Sequence, residues 1–201
     1  MNKILFLSIF FALGISGASS AQKLFIGACA DAFLLHVQNT SMHGIADARS
    51  KVGFSGGMDI YCQMENTLIL GAGYNVEKIA MYDDVMTYNI AVPAHTVYMI
   101  LGTGIVRDNL FVNFLGKLGY TVAPKPKDNG PNLHEYNYKT KDDISGGFKV
   151  NVGRFITPKL AASIQAGLYY YPFQISYNKM VYRSSFFTVP FGISLNYVIS
   201  H

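Results

Sequence analysis

The stretch SSFFTVPFGISLNYVIS, Ser184 to Ser200, decides the fold. Every second residue from Phe187 is large and apolar: Phe187, Val189, Phe191, Ile193, Leu195, Tyr197 and Ile199. The intervening positions, Thr188, Pro190, Gly192, Ser194, Asn196 and Ser200, are small or polar, with Val198 the exception. Side chains alternate faces along a strand, so the segment has one apolar face and one polar face. A soluble strand usually runs about five or six residues, whereas a tilted strand crossing a bilayer needs roughly 9–11. A long strand of this pattern suits a barrel wall, with lipid outside and a filled polar lumen inside.

The same alternation recurs upstream. A blurred strand over Lys23–His36 turns Phe25, Gly27, Cys29 and Asp31 inward. Lys51–Met64 sets Phe54, Met58 and Ile60 against Ser55, Asp59, Tyr61 and Gln63. Leu68–Lys78 turns Gly71, Gly73, Asn75 and Glu77 inward. Val85–Ile100 is read with Tyr88, Ile90, Val92, Thr96, Tyr98 and Ile100 outward, a bulge at Pro93 and a turn within Gly102–Asn109. Leu110–Ala123 turns Asn113, Lys117, Gly119 and Thr121 inward, and Asp142–Phe155 does so with Ser145, Lys149 and Asn151. A strand from Leu160 carries Ser163, Gln165 and Gly167 inward, and a loop over Tyr177–Arg183 leads to the closing strand. The count is eight, and short turns alternate with long connections, the longest being Pro124–Lys141. The expected fold is all-β: an eight-stranded antiparallel up-and-down transmembrane β-barrel. A soluble barrel of the lipocalin kind would reverse the faces, leaving almost no charge on its exposed strands.

Composition agrees. Half the residues are hydrophobic, with 14 Tyr and 14 Phe able to build interfacial girdles. Met1–Ala21 reads as a cleaved signal peptide, with Lys3, an apolar run from Ile4 to Ile15 and small residues at Ser19 and Ala21. Residues 22–201 then form one outer-membrane barrel domain, exported to the cell outer membrane. A net charge of +4 with no basic run argues against nucleic acid. By parity Cys29 faces inward and Cys62 outward, so two free thiols are expected.

Several segments resemble a known family. Gly53-Phe-Ser-Gly-Gly-Met-Asp-Ile-Tyr61 and Leu68-Ile-Leu-Gly-Ala-Gly-Tyr74 are similar to the second and third strands of the outer-membrane β-barrel domain family of Bacteroidota, the porin-family barrels. Tyr88-Asn-Ile-Ala-Val-Pro93 resembles that family's fourth strand, and Val189–Tyr197 its closing one. The resemblance covers the whole of residues 22–201 and implies a small outer-membrane barrel, without implying an activity.

Catalysis finds little support. Ser41, His43 and Ser50 share one polar stretch, yet a nucleophile needs its base within hydrogen-bond reach, and a solvated loop is the plainer reading. His134-Glu135 lacks the second His of a zinc-protease motif, and His36 and His43 lack a ligand cluster. No cofactor or metal is implied. Hairpin arithmetic places Lys117 opposite Lys149 and Asp31 towards Asp59, and the two pairs are expected to meet across a polar, plugged lumen. Lys125, Lys127, Lys139 and Lys141 are expected on an outer loop, where they would meet lipopolysaccharide. The expected partners are outer-membrane lipid, lipopolysaccharide and an envelope protein. The expected role is structural or binding, through the outer loops. The alternatives are a barrel enzyme that modifies lipid A or phospholipid, and a narrow diffusion pore.

Overall fold

A computed structural model describes residues 21–38, 49–50, 52–64, 67–83, 88–122, 139–140, 143–177 and 180–200. Eight long strands make up this part of the chain: β1 Ala21–Gln38, β2 Val52–Met64, β3 Leu68–Asp83, β4 Tyr88–Arg107, β5 Leu110–Val122, β6 Asp143–Thr157, β7 Leu160–Tyr177 and β8 Met180–Ser200. Each pairs antiparallel with its sequence neighbour, and β8 returns to pair with β1 from Lys23↔Ser200 to Gln38↔Ser185. The sheet is therefore a closed up-and-down barrel with no free edge. Two further two-residue segments, Arg49–Ser50 and Lys139–Thr140, pair with β3 and β7.

The polarity of the wall follows the alternation. Ile193 is 65% exposed and its neighbour Ser194 only 8%. Phe54, Phe114, Phe148 and Phe191 stand on the outside, while Asp59, Asn113, Lys117, Lys149 and Asn151 are buried within. Such an unbroken apolar exterior is far larger than the patches a soluble monomer exposes.

Tight turns close one end. Asp108 and Asn109 join β4 to β5, and Pro158 and Lys159 join β6 to β7. Asp108 takes the left-handed conformation (φ 54), which Asp tolerates better than most residues. Thr67, before β3, is also left-handed (φ 70). Its N–H donates to the Met64 carbonyl at 3.1 Å, and its own carbonyl accepts the Gly104 N–H at 2.9 Å. The long connections, including residues 123–138, emerge at the opposite end and lie outside the described residues, as do residues 1–20.

Strand β4 departs from the sequence reading. It runs to Arg107, and its turn is the Asp108–Asn109 pair. Thr96, Tyr98 and Ile100 are buried in the lumen, while Val97, Leu101 and Ile105 face outward. Both faces of this strand carry apolar residues, so a period of two cannot choose between them. Its neighbours do: Tyr98 pairs with Gly73 and Ile100 with Gly71 on β3, where the inward residues are small. No bulge interrupts the β3–β4 ladder at Lys78↔Pro93. Among the described residues, the ladder to β5 begins at His95↔Val122. The loop expected over Tyr177–Arg183 is also shorter, because the β7–β8 ladder continues to Tyr177↔Met180.

Candidate functional site

The candidate site is the lumen, and Asp59 on β2 is at its centre. Lys117 on β5 places its Nζ 3.3 Å from both Asp59 oxygens, and Lys149 on β6 donates to Oδ2 at 2.8 Å. Tyr98 on β4 donates its hydroxyl hydrogen to Oδ1. The same hydroxyl oxygen accepts from Lys117 Nζ at 2.8 Å, and the ammonium sits 4.0 Å from the Tyr98 ring centroid. Gly73 makes this possible, because a Cβ there would overlap the Tyr98 ring and Asp59 Oδ1. Lys149 also donates to Gln165 Oε1 at 2.9 Å, and Gln165 Nε2 donates to Asp31 Oδ1. One carboxylate thus pairs directly with two ammonium groups, and a second, Asp31, is linked to Lys149 through the Gln165 amide.

The structure brings Asp59, Lys117 and Lys149 into contact across the barrel. It does not place Lys117 directly opposite Lys149, nor Asp31 opposite Asp59. Lys117 pairs with Gly147, and Lys149 with Leu115. Asp31 pairs with Ser55, and Asp59 with Gly27. The two ladders centre on residues 132 and 43, so Lys149 falls two positions beyond the partner of Lys117, and Asp59 four beyond the partner of Asp31. The offset separates the like charges that direct pairing would have set against each other. Asp31 consequently meets the Gln165 amide rather than an ammonium group.

Towards the long-loop end the lumen stays polar. Glu77 is 1% exposed, and its Oε1 accepts from Tyr171 Oη at 2.8 Å and Asn75 Nδ2 at 3.1 Å. Thr96, Thr121 and Ser145 form a hydroxyl chain with two 2.8 Å links. Nearer the tight turns, Ser163 and Ser194 are bonded at 2.7 Å. A cavity of about 20 Å³ lies among Asp31, Glu77, Tyr98, Lys117 and Tyr171. That is room for about one water molecule, far from an aqueous channel.

Towards the tight-turn end an apolar layer, absent from the expectation of a polar plug, packs beside the buried Gln63, Asn113 and Asn196. Phe25, Tyr61, Ile69, Ile100, Phe111, Leu115 and Val198 form a buried apolar layer. Phe25 stacks on Tyr61 with ring centroids 4.9 Å apart, and Phe111 meets Phe155 edge-on at 5.6 Å. The Lys23 ammonium caps the layer, 4.7 Å from the Phe155 ring centroid. Asn113 Nδ2 donates to Tyr61 Oη at 3.3 Å and ties the two layers together. These aromatic residues occupy inward positions by parity, but their apolar character gave no sign of a lumen role.

Other candidates separate from this site. Lys125, Lys127 and Lys141, with Ser41, His43, His134 and His201, lie outside the described residues, and Lys139 is described only as part of a two-residue strand. His95 faces outward, where Tyr74 Oη lies 2.6 Å from its Nδ1. Both cysteines are free thiols. Among the described residues, no three His, Cys, Asp or Glu side chains are arranged to hold a metal.

Comparison with known proteins supports the architecture. No family model matches the chain, and no curated protein matches it. Solved structures do. The outer membrane protein OprG from Pseudomonas aeruginosa superposes with a TM-score of 0.66 at 8% identity, covering 90% of this chain and 98% of that one. Neisserial surface protein A gives 0.50 at 15% identity, covering 85% and 95%. Outer membrane protein AlkL, solved in lipid bilayers, gives 0.51 at 9% identity, covering 90% and 92%. At these identities the likeness is one of fold: a small eight-stranded barrel of the outer-membrane type.

Proposed function

We propose that this chain is a small outer-membrane barrel with a closed lumen. It serves as a scaffold for a structural or binding role carried by the long loops, and it performs no catalysis. The observation that carries this reading is the double closure of the interior. An apolar layer and a charged layer both fill the described part of the barrel, and the cavity beside Glu77 and Lys117 has room for about one water molecule. A pore needs a continuous aqueous path, so the diffusion reading has no support among the described residues.

The membrane assignment rests on the apolar exterior together with the three outer-membrane barrels that share the fold. In such barrels short turns face the periplasm and longer loops face outward. That orientation puts Lys125, Lys127, Lys139 and Lys141 at the cell surface, facing lipopolysaccharide phosphates or an envelope protein. Met1–Ala21 is then the export signal, and the Bacteroidota porin-family barrels are the group we assign the chain to.

The test uses intact cells that produce the protein. External protease is expected to cut within residues 124–141 and leave the barrel whole. Mass spectrometry of lipid A and phospholipid is expected to be the same with and without the protein. A chain fully resistant at the surface would overturn the loop assignment. A new lipid A or phospholipid species that depends on the chain would replace the scaffold reading with the enzymatic one.

A further inference from the structure

The lipid-facing wall is not uniform. On it, Arg107, Leu110, Arg154, Ala162, Leu195 and Ala28 form one continuous row of cross-strand partners running from β4 through β5, β6, β7 and β8 to β1. A parallel row, Val152, Ile164, Ile193 and Ala30, lies one outward step along the strands. Between them is a groove of about 750 Å³, open to the outside. Its floor is low because Ala28, Ala30 and Ala162 supply only methyl groups. Its sides are high because Leu110, Ile164, Ile193 and Leu195 stand beside them.

We propose that this groove binds a phospholipid, with one acyl chain between the two rows and the phosphate on Arg154. The inference rests on the outer-membrane reading given above. Neighbouring strands are about 4.8 Å apart, so the four steps from Leu110 to Ala28 span about 19 Å. Half the hydrocarbon thickness of a bilayer is roughly 15 Å. A chain lying diagonally across tilted strands therefore fits within one leaflet. The row starts beside the Asp108–Asn109 turn, at the tight-turn rim. That rim faces the periplasm, and the leaflet there is phospholipid.

The charge is in the matching place. Arg154 lines the groove, and Arg107 stands on the other side of Leu110 in the same row. Both side chains are exposed on the outer wall. A guanidinium binds phosphate oxygens in a forked, charge-assisted arrangement and keeps its charge at any working pH. Its aliphatic stem covers apolar surface while the head reaches the headgroup level.

The test is native mass spectrometry of the folded barrel in detergent micelles doped with dipalmitoyl phosphatidylglycerol. The wild type is expected to retain one phosphatidylglycerol. Arg154→Gln is expected to weaken retention about tenfold, the scale of one lost charge-assisted contact. Ala162→Phe should abolish retention by filling the floor. Ile144→Phe, on the same outer wall but away from the groove, should retain lipid like the wild type. A heat-shift gel confirms that each variant is folded. Equal retention by all four proteins overturns the site, and so does a preference for lipopolysaccharide over phosphatidylglycerol when the two compete. A wild-type chain that folds only without detergent or lipid overturns the outer-membrane reading and the site with it.

Discussion

The two layers of the lumen fill the same barrel by different physics. The layer at the tight-turn end, built on Phe25, Tyr61, Phe111 and Leu115, is held by contact area and ring packing. Its contributions are many, small and partly interchangeable. The layer above it depends on a few obligatory pairings around Asp59. Buried charges are tolerated only when matched, so removing one member leaves a penalty that nothing nearby can absorb. The apolar layer should therefore degrade gradually under mutation, and the charged layer abruptly. Urea unfolding of the refolded barrel in lipid vesicles would read out both.

The largest expected effect belongs to Asp59→Leu. Two ammonium groups lose their shared carboxylate, and the loss is about 3–5 kcal/mol, as for a broken buried ion pair. Adding Lys117→Met and Lys149→Met should recover most of it, because an apolar replacement of a whole buried charge cluster is often neutral. A triple variant no more stable than Asp59→Leu alone would show that the charges were not the source of the loss.

Leu115→Ala should cost about 2–3 kcal/mol, the lower part of the range for such a truncation, because the neighbouring rings can close part of the gap. No second-site change of charge should restore it. Recovery on neutralising Lys117 would mean that the two layers are not distinct.

Tyr171→Phe removes the hydroxyl that donates to the buried Glu77 carboxyl and should cost about 1.5 kcal/mol, the upper end for a single buried hydrogen bond. Ser194→Ala loses two neutral bonds, the one to Ser163 and the one accepted from Asn196 Nδ2 at 3.1 Å, and about 1 kcal/mol is expected. If the order of these two were reversed, hydroxyl packing rather than the Glu77 carboxyl would dominate the polar part of the lumen.

How much of this was legible in the sequence depends on where the chemistry agrees with the alternation. On β5, β6 and β8 the outward residues are large and apolar and most inward ones small or polar, so the outer face can be read directly. Asp59, Lys117 and Lys149 stood out because a charged residue at an inward position has to find a partner. Gln165 was read as an inward residue, yet a neutral amide gives no sign that it links Lys149 to Asp31. Alternation turns Phe25 and Tyr61 inward but leaves Phe111 and Leu115 without a stated face, and nothing in it shows that the four meet in one layer. Strand β4 combines both difficulties: Ile100 and the Tyr98 ring belong to the inner apolar cluster, while the Tyr98 hydroxyl serves Asp59. Only the partners of β4 on β3 and β5 reveal which way it faces.

The central claim is that these two layers close the barrel. Planar-bilayer recording of the purified, inserted protein tests it most directly. The wild type, inserted and shown to be folded, should give no steady conductance of porin size. The variants Leu115→Ala and Asp59→Leu/Lys117→Met/Lys149→Met should also stay silent, because each leaves one layer intact. A steady, porin-sized conductance from the wild-type barrel would contradict the closed lumen and the scaffold reading built on it.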